Sequence, residues 1–200
     1  MNFELFLLEK FGEHNPKEID ELILDDLLPD QGELTLEQKQ VLEKYKNLIR
    51  LSMCGLSLKS LTNFPMLPNL HVLDISQNVL TGNDFEKIPS LYPHLHKLNI
   101  SLNNIENIEC IEKLKNSSIE KLELFENPFL AKSKKAIDKL FLVLKHVTAI
   151  NKKTSSGIDV YSTDYNEESE EEEEFQGDSD EEYEGDNNFN SDEDDEDEYD

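Results

Sequence analysis

The chain has 200 residues, and 45 Asp and Glu against 19 Lys and Arg give it a formal net charge of −26. Residues 1–153 hold 22 of the acids and all 19 bases, a net −3, whereas residues 154–200 hold the other 23 acids and no base. This balance disfavours nucleic acids and membrane surfaces as partners and favours basic proteins. The two cysteines form no CxxC or Cys/His cluster, which excludes a disulfide framework and indicates a reducing compartment.

The first residues predict a helical cap. Apolar residues recur at helical spacing over residues 3–11, at Phe3, Phe6, Leu7 and Phe11. Acidic residues interrupt this segment and no basic stretch precedes it, so a secretory signal is not expected. No apolar run approaches the roughly 18–20 residues that a membrane span needs.

Two capping patterns follow this helix. Residues 15–18 (Asn-Pro-Lys-Glu) combine an N-cap residue, a proline and an acid, which predicts a short turn. Thr35 and Gln38 have the spacing of a capping box and predict a second helix, with Val41, Leu42 and Tyr45 facing inward.

A repeated apolar pattern organises the rest of residues 1–153. The motif L-x-x-L-x-L-x-x-N-x-L is matched in full at residues 70–80 and 95–105, and again at 119–129 with isoleucine first and phenylalanine last. Weaker or partial copies begin at Ile19, Leu48 and Leu144. The fourth positions of the six copies are residues 22, 51, 73, 98, 122 and 147. All intervals but the first lie in the leucine-rich-repeat range, so a repeat architecture is predicted.

The predicted fold is α/β, a small right-handed leucine-rich-repeat solenoid with a parallel sheet on its concave face. Each L-x-L segment is expected to form a short strand whose leucines point into a shared core. A solenoid needs both ends covered, here by the N-terminal helix and by a C-terminal helix with Ile137, Leu140, Phe141 and Leu144 at helical spacing. Other apolar residues are expected to pack the convex side: Leu61, Phe64, Leu67, Ile88, Leu91, Ile108, Ile111 and Leu114.

The repeat asparagines Asn78, Asn103 and Asn127 are predicted to form a structural ladder. Each would bond buried backbone groups of the turn that no sheet ladder can satisfy. The alternative is that these asparagines are exposed and recognise a partner. The first two copies have leucine at this position, which predicts a less regular N-terminal half.

Strand alternation predicts three lanes of side chains on the concave face. They are Glu21, Arg50, Val72, Lys97, Lys121, His146; Ile23, Ser52, Asp74, Asn99, Glu123, Thr148; and Asp25, Cys54, Ser76, Ser101, Phe125, Ile150. With strands about 4.8 Å apart the sheet would be about 25 Å wide, enough for a helix or peptide. The candidate partner-binding residues are Asp74, Asn99, Lys121, Glu123 and Phe125. A simply solvated surface is the alternative.

The whole chain resembles the acidic leucine-rich nuclear phosphoprotein 32 family. The resemblance rests on the capped repeats, on the stretches 19–25, 70–82, 92–101 and 122–127, and on the acidic C-terminal segment. Three features depart from the family pattern, and one of them is the segment 128–135, which differs from the usual loop. Residues 149–152 (Ala-Ile-Asn-Lys) replace a Tyr-Leu-Asp-Gly-like stretch, and no basic import cluster closes the acidic segment.

The resemblance implies a nuclear protein, with possible shuttling to the cytoplasm, that acts as a histone chaperone. It also implies inhibition of histone acetylation or of protein phosphatase 2A. The implied partners are histones or other basic proteins, and we expect a monomer. A scaffold similar to the A-prime protein of the U2 small nuclear ribonucleoprotein is a further alternative, disfavoured because an acidic tail repels RNA.

Residues 154–200, here called the acidic tail, are predicted to be a disordered segment separate from the repeat domain 1–153. The tail lacks the apolar content that would offset its ordering entropy. Acids and interspersed aromatics could capture a basic protein by long-range attraction and apolar anchoring. The candidate partner-binding residues are Glu172, Phe175, Asp180, Glu182, Tyr183, Asp194, Asp195 and Tyr199. The alternative is a solubilising segment in which the aromatics are incidental.

Three serines of the acidic tail precede runs of acids and are candidate phosphorylation sites: Ser169, Ser179 and Ser191. Phosphorylation would add about −1.5 to −2 charge at each site. No EF-hand spacing, P-loop, G-x-S-x-G or Cys/His nucleophile motif is present, and the five histidines form no ligand pattern. The sequence therefore predicts a protein that is not an enzyme and needs no cofactor or metal.

Overall fold

The structure, a computed structural model, describes residues 2–27 and 32–160. Each repeat contributes one short strand, and the connecting segments carry turns or short helices. The strands are β1 (Glu21–Ile23), β2 (Arg50–Ser52), β3 (Val72–Asp74), β4 (Lys97–Asn99), β5 (Lys121–Glu123) and β6 (Ala149–Ile150). The α-helices are α1 (Phe3–Phe11), α2 (Leu36–Leu42), α3 (Ile88–Leu91), α4 (Glu109–Glu112), α5 (Pro128–Lys132) and α6 (Ala136–Val143). Single 3-10 turns cover Phe85–Lys87 and Lys113–Asn116.

The six strands form one parallel sheet whose order follows the chain from β1 to β6. The central residues of successive strands are in register and almost fully buried, which stacks one apolar side chain per repeat into a single core. They are Leu22, Leu51, Leu73, Leu98, Leu122 and Ile150. The predicted α/β leucine-rich-repeat fold is confirmed.

The register of the last strand differs from the sequence prediction. Leu122 pairs with Ile150, so the fourth position of the sixth repeat is Ile150 and not Val147. The Val147 N–H donates to the Leu144 carbonyl (2.9 Å), which is the turn that precedes the first apolar residue of the other repeats. Val147 therefore occupies the first position of the sixth repeat. The sequence pattern predicts Leu144 at that position, three residues earlier.

Because of this shift, the last members of the three predicted lanes, His146, Thr148 and Ile150, do not occupy the predicted concave positions. Lys121 pairs with Ala149, and Ile150 is buried. His146 lies in the turn before β6 with its Nε2 3.3 Å from Ser117 Oγ. The register of β1 to β5 confirms the first two lanes there, whereas the third lane lies beyond the strand ends and its Ser76 and Ser101 are buried. The prediction was wrong for β6, because the loop after α6 is longer than the periodicity implied.

A helix covers each end of the solenoid, as the sequence predicted. Helix α1 buries Phe3, Phe6 and Leu7 against the first repeat. Phe11 does not join them: the helix ends there, Gly12 turns the chain with φ 75°, and the Phe11 side chain is left exposed. At the other end, α6 buries Leu140 and is followed by the buried Leu144.

The capping box of α2 is formed as the sequence predicted. The Gln38 N–H donates to Thr35 Oγ1 (3.1 Å), and the Thr35 N–H donates to Gln38 Oε1 (2.7 Å). These reciprocal bonds satisfy two backbone donors that the first helical turn cannot. The helix then presents Val41 and Leu42 to the core.

The described chain continues past the predicted domain boundary to Val160. A tight loop follows β6, in which the Thr154 N–H donates to the Ile158 carbonyl (2.9 Å) and the Val160 N–H to the Lys152 carbonyl (2.7 Å). The division at residue 153 stays a prediction. Within the described ranges, no helix is long and apolar enough to cross a membrane.

Candidate interaction surface

Buried asparagine side chains fix the turn at which the concave face ends. Asn103 Oδ1 accepts the Leu80 N–H (2.9 Å), and its Nδ2 donates to three carbonyls, those of Ile75, Ile100 and Ser101. Asn78 and Asn127 make the equivalent bonds in their repeats, and all three side chains are buried. Because each asparagine bridges two repeats, it holds successive turns in a common orientation.

The residue just before each asparagine position lies in the left-handed region of backbone space. These residues are Asp26 (φ 55°), Gly55 (69°), Gln77 (53°), Leu102 (54°) and Glu126 (54°). Backbone bonds align them across repeats: the Gln77 N–H donates to the Ser101 carbonyl (3.0 Å) and the Leu102 N–H to the Phe125 carbonyl (2.8 Å). This row of turns forms the edge of the concave face at the carboxyl ends of the strands.

Basic side chains on strands β2, β4 and β5 lie on the opposite edge. They occupy the position immediately before the core leucine, and we call Arg50, Lys97 and Lys121 the lysine row. Arg50 Nε lies 3.1 Å from Glu21 Oε1. Lys152 joins Lys97 and Lys121 in lining one small pocket, beside Val160.

The remaining concave positions of β1 to β5 and their turns carry acids and no base. We call these fifteen residues the carboxylate edge: Ile23, Ser52, Asp74, Asn99, Glu123; Asp25, Cys54, Ser76, Ser101, Phe125; and Asp26, Gly55, Gln77, Leu102, Glu126. Five of them are Asp or Glu and none is Lys or Arg. The three bases therefore lie on one edge of the concave face, with Glu21 beside Arg50, and five acids lie on the other edge, so acids exceed bases on this face.

Four of the five concave residues predicted from sequence belong to the carboxylate edge: Asp74, Asn99, Glu123 and Phe125. The side chains of the first three make polar contacts. Asn99 Nδ2 donates to Asp74 Oδ2 (2.8 Å), which joins β3 to β4. Lys97 Nζ lies 3.6 Å from Glu123 Oε1. Lys121 stands in the lysine row, so the structure places it apart from the carboxylate edge that contains the other four.

The thiol of Cys54 lies among the carboxylates of the first three repeats. Asp25 Oδ1 accepts the Cys54 N–H (2.8 Å) and the Ser52 hydroxyl (2.6 Å). Burial, and then the nearby charges of Asp25, Asp74 and Asp26, raise the pKa of the Cys54 thiol above its ordinary value, although Ser76 acts in the opposite direction. This direction is the one expected at a surface of negative potential.

Phe125 is the aromatic side chain of the carboxylate edge, and 42% of it is exposed. The serines at its position in the third and fourth repeats, Ser76 and Ser101, are buried. Leu102 in the adjacent turn is exposed to the same 42%. Sequence reasoning missed Leu102 because it follows no strand lane, but comparison with Gln77 and Glu126 at the same repeat position would have singled it out.

The predicted binding and phosphorylation residues of the acidic tail lie outside the described residues. They are Glu172, Phe175, Asp180, Glu182, Tyr183, Asp194, Asp195, Tyr199, Ser169, Ser179 and Ser191.

In the part of the chain that the structure describes, no group of three or more His, Cys, Asp or Glu could hold a metal ion. His71 and His96 stack with ring centroids 5.0 Å apart on neighbouring repeats.

Comparison with known proteins finds relatives that share one description. A Plasmodium falciparum (isolate 3D7) protein described as acidic leucine-rich nuclear phosphoprotein 32-related is 32% identical over 155 residues, which are 76% of this chain and 54% of that protein. A Caenorhabditis elegans protein described as acidic leucine-rich nuclear phosphoprotein 32-related protein 1 is 30% identical over 174 residues, 85% of this chain and 72% of that protein. The chain thus spans about half of the first relative. No protein-family model matches it.

A solved structure supports the fold. The Drosophila melanogaster SNF/U2A′ complex contains a chain that superposes with a TM-score of 0.53 and 17% sequence identity, covering 67% of this chain and 73% of that chain. At this identity the likeness extends to the fold alone.

Proposed function

Because the chain belongs to the acidic leucine-rich nuclear phosphoprotein 32-related family, we propose that it is a nuclear, non-enzymatic histone-binding protein of chaperone type. In this proposal the acidic tail captures basic histone surfaces and the repeat domain orients them. Covering histone lysines in this way would also inhibit their acetylation. Nuclear location, with exchange to the cytoplasm, belongs to the proposal and rests on the family's description.

The uneven distribution of charge carries this proposal. The acidic tail concentrates 23 acids and no base in 47 residues, and the repeat domain has a net charge of −3. Exposed charge pairs contribute roughly 0.2–1 kcal/mol each, so tight binding requires many of them together. A partner rich in Lys and Arg meets that requirement, and a neutral or acidic partner does not.

The repeat domain offers the second element, a firm surface. Its concave face is built on strands held in register and on turns held by buried asparagines, so its side chains keep a fixed arrangement. Carboxylates are ordered there by hydrogen bonds, as for Asp74 with Asn99. Such a surface can select an orientation once long-range attraction has formed the encounter.

A titration of core histones with the full chain and with a chain ending at Val160 tests the proposal. The buried apolar side chains of the described residues all lie between Phe3 and Ile150, so the shorter chain keeps that core. We expect the shorter chain to lose histone binding at physiological ionic strength while its unfolding curve stays unchanged. Equal affinity of the two chains would overturn the proposal.

The aromatics of the acidic tail need a separate variant, since they could add apolar anchoring to the charge. Six are replaced by alanine at constant charge: Tyr161, Tyr165, Phe175, Tyr183, Phe189 and Tyr199. We expect weaker binding that falls more steeply with added salt than the parent's, because salt screens the remaining charge contacts and does not screen the apolar contacts of the parent. Unchanged affinity would limit the tail's contribution to charge.

Inhibition of protein phosphatase 2A through the repeat domain is the second candidate function. The exposed Phe125 on the concave face favours it, because an aromatic on a rigid surface can anchor a partner without the tail. This candidate predicts that a chain ending at Val160 still inhibits the phosphatase and that Phe125→Ser abolishes the inhibition. Inhibition that disappears with the tail would instead indicate nonspecific electrostatics.

A further inference from the structure

Leu102 combines two unfavourable features in one exposed residue. Its backbone is left-handed (φ 54°), which costs a residue with a Cβ about 1 kcal/mol, and 42% of its apolar side chain faces solvent. At the equivalent turn position the other repeats have residues that expose no large apolar side chain: Asp26, Gly55, Gln77 and Glu126. Packing within the domain does not account for a leucine at this turn, because much of the side chain is outside the core.

Phe125 lies directly beside Leu102 in the next repeat. The Leu102 N–H donates to the Phe125 carbonyl (2.8 Å), so the two backbones are joined at the edge of the sheet. Phe125 takes the place that small serines occupy in the two preceding repeats, Ser76 and Ser101. Two large apolar residues therefore replace polar ones at adjacent positions of one edge.

The carboxylate edge around this pair holds carboxylates and no base, and one of them, Glu123, is paired with Lys97 from the lysine row. Glu126 adjoins Phe125 in sequence, and Glu123 lies two residues before it on β5. Asp74, Asp25 and Asp26 continue the series toward the first repeat. The lysine row lies on the opposite side of the same strands, and Lys97 is within 3.6 Å of Glu123. Burial, and to a smaller extent the charges of Asp25, Asp74 and Asp26, raise the pKa of the Cys54 thiol on this edge.

We propose that Leu102 and Phe125, set in the carboxylate edge, form a docking site for a basic protein segment that carries one apolar residue among Lys or Arg. The apolar residue packs against the Leu102 and Phe125 side chains. One flanking cation meets Glu126, in the same repeat as Phe125, and the other lies toward Asp74 and toward Glu123, whose charge is shared with Lys97. This inference rests on the proposed function, because it identifies a second contact for the same basic partner.

Charge complementarity selects this occupant over others. An acidic segment or a nucleic acid would place like charges against the carboxylates of this edge, which is unfavourable. A wholly apolar segment would leave those carboxylates partly desolvated and unpaired. A segment that alternates cations with an apolar residue satisfies both parts of the edge.

The test uses the full chain carrying Leu102→Asn together with Phe125→Ser. Asparagine tolerates a left-handed backbone better than leucine does, and serine is the native residue at the Phe125 position of two neighbouring repeats, so this variant is expected to fold as stably as the parent. Leu142→Gln is the matched control. It removes a side chain that is 74% exposed, on helix α6 and away from the concave face.

Two synthetic peptides of equal charge serve as probes, one of lysines and arginines with a central phenylalanine, the other with serine in its place. We expect the parent chain and the Leu142→Gln variant to bind the phenylalanine peptide about tenfold more tightly than the serine peptide. The double variant is expected to have a clearly smaller preference. The acidic tail is the same in all three chains, so any preference that the tail supplies is common to them and the difference between chains reports the docking site.

An undiminished preference for the phenylalanine peptide in the double variant would overturn the docking site. That result leaves the histone titration of the full and shortened chains unaffected. Conversely, retention of histone binding by the chain ending at Val160 would overturn the tail mechanism, whatever the peptides show. The two failures are therefore distinguishable.

Discussion

The repeat domain and the acidic tail divide the properties of the protein between them. The buried apolar side chains of the described residues lie between Phe3 and Ile150, and the repeat domain is nearly neutral. The tail holds 23 of the 45 acids in less than a quarter of the chain. Packing is thus concentrated in one segment and charge in the other. Substitutions can therefore change stability without changing capture of a basic partner, and the reverse.

The largest stability effect is expected from Asn103→Ala. It removes a buried side chain that accepts the Leu80 N–H and donates to three carbonyls. The Leu80 N–H loses its acceptor, whereas the carbonyls of Ile75, Ile100 and Ser101 keep the Asn78 amide, the Asn127 amide and the Gln77 N–H as donors. We expect a loss of about 3 kcal/mol in the free energy of unfolding, measured by urea denaturation. Asn104→Ala, at the exposed neighbouring position, is the control and should change stability little. Equal urea denaturation midpoints of Asn103→Ala and the parent would contradict the structural role of this asparagine.

Gly82→Ala and Gly157→Ala compare the two segments directly. Both glycines have positive φ, 77° and 79°. A Cβ at Gly82 would lie 2.9 Å from the Cβ of Cys110 and 3.1 Å from the ring of Phe85, whereas nothing lies within 4 Å of a Cβ at Gly157. We expect Gly157→Ala to cost about 1 kcal/mol at most, from its backbone alone, and Gly82→Ala about 2 kcal/mol more. Equal thermal stabilities of the two variants would contradict this difference in packing.

The smallest effect concerns His146. Burial lowers the pKa of its imidazole below the ordinary value, so the unfolded chain binds the proton more tightly than the folded chain. The stability that neutral His146 contributes is fully present above about pH 6.5, and it is lost as the pH falls from there through the lower pKa of the folded state. The parent should therefore lose slightly more stability than His146→Gln between pH 7.5 and about 5. Parallel pH profiles in urea denaturation would show that this imidazole is not linked to folding.

The regular parts of the fold could be predicted from sequence because each repeat reports the same packing. The leucines at residues 51, 73, 98 and 122 repeat one environment, and the Thr35 capping box is a local interaction between neighbours in the chain. The sixth strand was misplaced because Leu144 and Val147 both fit the first apolar position. Only pairing with β5 distinguishes them, and that contact is distant in sequence.

The candidate surface was predicted only in part, for a related physical reason. Strand alternation located Asp74, Asn99, Glu123 and Phe125, since side chains on a strand alternate between faces. Leu102 lies in a turn, where direction depends on a left-handed φ that the sequence pattern does not report. The sequence pattern also did not show that bases and acids lie on different edges. Asp26 and Glu126 belong to turns, and the fold alone aligns those turns with the strands.

The central claim is that the charge of the acidic tail is itself the element that binds a basic partner. Its most direct test replaces the Asp and Glu residues of 161–200 with Asn and Gln, which keeps length, aromatics and repeat domain unchanged. Fluorescence anisotropy then gives the affinity for core histones at physiological ionic strength. We predict a loss on the order of a hundredfold, to the level of the chain ending at Val160. Affinity within about twofold of the parent would contradict the account.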